Sequence, residues 1–131
     1  MKDFELTPKM LNLGGTFYPT GYALIMFPAL EDARQVARQL EPDIDEIMLL
    51  TPATILEEIG HADGDSRLTL PSVGTEGATV HKYVTLAEEG HYALMIAVPS
   101  ADVTERVMSV VRNFPFSYAQ KYHMLAIEDL E

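Results

Sequence analysis

Short apolar runs alternate with amphipathic stretches along this chain, and that alternation lays out most of its elements. Tyr22-Ala23-Leu24-Ile25-Met26-Phe27, closed by Pro28, has the length and the bounding turn residues of a buried strand. Leu30, Ala33, Val36, Ala37 and Leu40 then recur at the spacing of one buried helix face. Glu31 and Asp32 sit at the positive end of that helix, and Pro42-Asp43 stops it. Glu46 to Leu50 reads as a second strand, with Ile47-Met48-Leu49-Leu50 as its apolar part. Thr51-Pro52 joins a hydroxyl cap to a proline at the first helical position, so a short helix over 52–59 follows, ended by Gly60. Residues 61–77 read as a loop with a brief strand at Arg67-Leu68-Thr69-Leu70. A further helix runs from about Ala78 to Glu89, with Val80, Val84 and Ala87 inward and Gly90 as its left-handed terminator.

The pattern then returns. His91-Tyr92-Ala93-Leu94-Met95-Ile96-Ala97-Val98-Pro99 repeats the character of Gly21 to Pro28: Tyr-Ala-Leu, an apolar run and a closing proline. Ser100 caps the next helix, Asp102 lies in its first turn, and Val103, Val107, Val110, Val111 and Phe114 form its stripe. Tyr118 to Ile127 carries the last strand, clearest from Tyr122 to Ile127, after which Glu128, Asp129 and Leu130 return to solvent. The order is βαβ, inserted helices, βαβ. Two right-handed units sharing one sheet give an α+β, ferredoxin-like sandwich of four antiparallel strands and two helices, with extra helices between the halves. This makes 1–131 one domain: an N-terminal packing segment (1–20), a first βαβ unit (21–50), inserted helices and loop (51–90) and a second βαβ unit (91–131).

A sheet covered on one side alternates apolar with polar, and these strands do not. Tyr22, Leu24 and Met26 oppose Ala23, Ile25 and Phe27, while Tyr92, Leu94, Ile96 and Val98 oppose Ala93, Met95 and Ala97. The face away from the main helices therefore needs a cover. The inserted helices, the N-terminal segment with its Phe4, Leu6, Met10, Leu11, Leu13 and Phe17, or a second subunit would each supply one. A homodimer is the favoured expectation, with the sheet face or the extra helices near its interface.

Composition narrows the partners. The 131 residues are 47% apolar, which suits a folded core, and carry a formal charge of −11. That charge repels phosphate backbones and anionic lipid surfaces, so neither nucleic acid nor a membrane is an expected partner, and a neutral or cationic small molecule or protein is. There is no cysteine, hence no disulfide or thiolate site. Met1 to Glu5 lacks a secretory pattern, and a cytoplasmic location is the default expectation.

Candidate chemistry is sparse. His61, His81, His91 and His123 form no i,i+4 pair, although His91 and His123 would approach each other if their strands adjoin, with His81, Asp63 and Asp65 completing a zinc-like set. Surface histidines are the plainer reading, so no metal or other cofactor is expected. Asp63-Gly64-Asp65 opens like a calcium loop, but Gly74 stands where the twelfth-position glutamate belongs. Gly14-Gly15-Thr16 and Gly74 to Gly77 are turns without a phosphate-loop lysine. Glu57-Glu58 and Glu88-Glu89 point about 100° apart on a helix and read as solvated faces. Tyr22 and Tyr92 begin the two central strands; with Met26, Met95, His91 and His123 they make a candidate ligand site, core packing being the commoner use of such residues. No catalytic residue is assigned. The chain reads as a homo-oligomeric binding or regulatory module acting through its apolar sheet face or a small pocket beside it. A small cofactor-free or metal-dependent enzyme, using His91, His123 and Tyr92 for acid–base work, is the alternative.

Overall fold

The doubly apolar strands are buried on both faces in the structure, a computed structural model that describes residues 1–12, 15–60 and 75–131. The strands are β1 (Lys2–Asp3), β2 (Tyr22–Phe27), β3 (Ile47–Leu50), β4 (Tyr92–Ala97), β5 (Tyr118–Tyr122) and β6 (Ile127–Asp129). The helices are α1 (Leu30–Leu40), α2 (Pro52–Thr54), α3 (Thr75–Glu88) and α4 (Ala101–Val111). Together they form a mixed α+β structure with one six-stranded sheet in the order β1-β3-β4-β2-β5-β6. Every neighbouring pair is antiparallel except β1 with β3. Among the described residues no helix is long and apolar enough to cross a membrane.

The alternation along β2 and β4 sorts their side chains as the period of two requires. Ala23, Ile25, Phe27, Leu94 and Ile96 meet Ala33, Val36 and Leu40 of α1 and Val107, Met108 and Val111 of α4. Leu24, Met26, Ala93 and Met95 face the opposite core. That second core is covered by the chain itself: Phe4, Met10 and Phe17 come from the N-terminal segment, Ile55 and Ile59 from the turn after α2, and Val80, Tyr83 and Leu86 from α3. A single turn of 3-10 helix, Pro8–Met10, bends the N-terminal segment over the sheet. Phe17 is its anchor, fully buried with ring centroids 6.2 Å from Phe4, 6.4 Å from Tyr83 and 6.0 Å from Tyr122, all edge-on. The hydroxyls of Tyr83 and Tyr122 lie 2.8 Å apart, so each satisfies the other's polar end inside this layer. Burial pushes the Tyr83 hydroxyl well above its ordinary pKa. Since two of the three expected covers are present, the open apolar face that argued for a second subunit is not open.

Several boundaries differ from expectation for physical reasons. α3 begins at Thr75, and Tyr83 and Leu86 join Val80 and Ala87 on its buried side while Val84 is half-buried. The helix at Pro52 widens into a π-turn over Ile55–Ile59, and Gly60 keeps helical angles there instead of ending it. A Cβ on Gly60 would lie 3.2 Å from Cγ2 of Val84, so glycine lets this turn sit close against α3. The last strand, expected over Tyr118 to Ile127 and clearest from Tyr122, starts at Tyr118 but does not run through to Ile127. β5 ends at Tyr122, the chain turns at His123, whose N–H donates to the Ala126 carbonyl, and Ile127–Asp129 returns as an edge strand. Glu128 and Asp129 therefore pair in the sheet as well as facing solvent. β1 adds a parallel edge at the other side of the sheet. The brief strand expected at Arg67 to Leu70 lies outside the described residues.

Candidate functional site

A groove opens at the end of the sheet where β2 starts, β4 ends and the loop after α1 enters β3. Its volume is about 420 Å³, and it is lined by Gly21, Tyr22, Asp43, Ile44, Asp45, Ala97, Pro99 and Val103. Three segments converge there because α1 ends at Leu40 and the chain must cross the sheet end before β3, while Ser100 caps α4 directly behind β4. The Ser100 hydroxyl accepts from the Val103 N–H at 3.2 Å, which fixes the helix start beside the groove. A second groove of about 310 Å³, lined by Met1, Lys2, Glu41 and Ile44 to Ile47, shares Ile44 and Asp45 with the first.

The rim is acidic. Asp43 accepts from Arg106, 2.8 Å away, whereas Asp45 is exposed and, among the described residues, takes part in no ion pair. Tyr22 stands opposite Ala97 in register, and the Ala97 N–H donates to the Glu46 carbonyl at 3.0 Å. Three residues thus stand abreast across the sheet end, and the small Ala97 lets the Tyr22 hydroxyl reach over it to donate to the Glu46 carboxylate. Lys2 holds the other oxygen of Glu46 at 3.3 Å. Burial, reinforced by the bond to Glu46 and its charge, raises the Tyr22 hydroxyl to about 12. The same bond, with Lys2, holds the Glu46 carboxyl below its ordinary value although burial opposes it. The tyrosine stays protonated and the carboxylate charged, a fixed wall rather than a proton relay. The groove's remaining lining, Ile44, Ala97, Pro99 and Val103, is apolar.

The residues singled out from sequence are not gathered here. Tyr22 is in the groove, but Tyr92 is not, since β2 and β4 run antiparallel and Tyr92 stands opposite Phe27 at the far end. The two tyrosines also alternate onto opposite faces. Met26 and Met95 are fully buried in the second core and line neither of these two grooves. His91 lies beyond the Phe27 end and His123 beyond the Tyr22 end, separated by more than the length of the central strand, itself roughly 17 Å. His91 Nδ1 is 2.8 Å from Ser117 Oγ, and His123 Nε2 is 2.8 Å from Glu128 Oε1. His81 is exposed on α3. His61, Asp63 and Asp65 lie outside the described residues, and among the described residues no cluster of three histidine or acidic side chains is placed to hold a metal ion. Asp45 and Ile44 escaped the sequence reading. The signal available was the run of Glu41, Asp43, Asp45 and Glu46 in one short loop, an acidic excess larger than a helix stop needs.

Comparison with protein-family models, with curated proteins and with solved structures finds no match to the chain.

Proposed function

We propose that this chain is a ferredoxin-like binding module that takes a small cationic molecule with an apolar body into the groove beside Tyr22. The ferredoxin-like reading is supported by the core order β3-β4-β2-β5, antiparallel throughout, with α1 and α4 on one face. One observation carries the ligand class: apolar walls of Ile44, Pro99 and Val103 share the groove with Asp45, a carboxylate engaged in no ion pair among the described residues. A cavity of about 420 Å³ falls in the range of small-molecule sites. The net charge of −11 draws cations toward it and repels anions. Because the second sheet face is occupied by the chain itself, this reading needs no homodimer and does not use the apolar face. Calorimetric titration with benzylammonium and with benzoate tests it. Benzylammonium binds, benzoate does not, and Asp45→Asn weakens benzylammonium several-fold without changing the fold; equal behaviour of the two probes defeats the proposal.

A second reading, a small enzyme, rests on the contact between His91 Nδ1 and Ser117 Oγ at 2.8 Å, a base beside a hydroxyl. Labelling of Ser117 by a fluorophosphonate, abolished in His91→Ala, would favour it over the binding module.

A further inference from the structure

Among the described residues, nothing pairs with the outer edge of β6, which ends the sheet and pairs only with β5. The His123 N–H donates to the Ala126 carbonyl at 2.8 Å and the Leu130 N–H to the Ala119 carbonyl at 3.0 Å. In an antiparallel ladder inward and outward residues alternate, so Ala126, Glu128 and Leu130 bond to β5. Ile127 and Asp129 turn their N–H and C=O groups outward. They form a short template for one more strand, about 7 Å between successive bonding residues.

The flanks of this edge have a definite character. Met124 and Leu125, at the hairpin tip, are 79% and 94% exposed. The following residues Glu128, Asp129 and Glu131 are acidic and exposed. A second copy is a poor occupant, because pairing β6 with itself sets these carboxylates against their own counterparts in a chain of charge −11. Charged side chains on edge strands commonly keep copies apart; here the charges share one sign, which leaves a strand of the opposite sign acceptable. We propose that the β6 edge is a docking site for an extended basic peptide segment of another protein. That segment adds a strand along Ile127 and Asp129, sets lysines or arginines against Glu128, Asp129 and Glu131, and lays an apolar residue on Met124 and Leu125.

The test uses the full chain and two short fluorescent peptides, one alternating lysine with valine and one alternating glutamate with valine. The lysine peptide binds, raises protection of the Ile127 and Asp129 amides against hydrogen exchange, and weakens with added salt; the glutamate peptide does not bind. Asp129→Pro removes one outward N–H where an edge strand tolerates proline, and lowers affinity about tenfold, as the loss of one hydrogen bond implies. Glu128→Lys lowers it as well. Absence of binding overturns the proposal, as does binding that leaves the Ile127 and Asp129 amides unprotected or does not distinguish the peptides. The wild-type exchange readout stands even if a variant fails to fold, and these amides are distinct from the groove residues, so each proposal fails on its own.

Discussion

Replacing Phe17 by alanine removes the anchor that ties the N-terminal segment to the second core. The ring is fully buried and makes edge contacts with Phe4, Tyr83 and Tyr122. Truncating a buried phenylalanine costs about 3–5 kcal/mol through lost transfer and the cavity left behind. Three aromatic partners place Phe17→Ala toward the upper part of that range, each pair adding about 0.5–1.5 kcal/mol beyond area in favourable cases. Tyr83 stands on α3 and Tyr122 on β5, so on that side the cavity has little means of collapsing. Against a typical total stability of about 5–15 kcal/mol, that is a large fraction. Urea unfolding followed by far-UV circular dichroism measures it, with Met124→Ala as a control at a residue 79% exposed, expected to stay within about 0.5 kcal/mol. A Phe17→Ala loss below about 1 kcal/mol would refute the reasoning, because it would mean that the segment does not cover the sheet in solution.

Two further outcomes follow from the same geometry. Tyr22→Phe removes the donor to Glu46 and costs about 1 kcal/mol at neutral pH. The cost has a pH window. The depressed Glu46 carboxyl contributes stability above its unfolded value, lost as pH falls through the folded one; the raised Tyr22 hydroxyl contributes below its unfolded value, lost as pH rises toward about 12. The difference between wild type and Tyr22→Phe in thermal melts therefore narrows at both acid and alkaline extremes, and a difference independent of pH contradicts the bond. At Gly60, alanine gains about 1 kcal/mol of helix propensity against a Cβ placed 3.2 Å from Val84 Cγ2, leaving a change near zero, whereas valine overpacks and loses about 1–3 kcal/mol; equal unfolding midpoints for the two variants would show that α3 is not packed that closely.

The central strands and the helices α1 and α4 are legible in the sequence because periodicity alone specifies them. Tyr22–Phe27 and Leu30–Leu40 are both found at the bounds that their patterns imply. The start of β5 at Tyr118 is legible too, but its body is less clear than its end because it buries polar residues: Gln120 donates to Asp129, and the Lys121 ammonium reaches Thr104 Oγ1 at 2.7 Å beneath α4. The tip residues Met124 and Leu125 mislead in the opposite sense, since their apolar side chains sit in water at a turn. The pairing of Tyr22 with Tyr92 failed for a reason of direction: adjacent antiparallel strands begin at opposite ends, so the starts of the two copies stand apart. The groove was not legible at all. It is formed by loop residues 43–45, the start of β2 and the region before α4, segments whose meeting is a property of the sheet end and not of any local pattern.

The most direct measurement is an amide chemical-shift map of the uniformly labelled protein titrated with benzylammonium. Shifts concentrated at Gly21, Tyr22, Ile44, Asp45 and Val103, absent with benzoate, are the expected result for a cation seated in the groove. Shifts scattered over the acidic surface, or confined to residues far from β2 and the loop after α1, would contradict the assignment of this groove as the binding site.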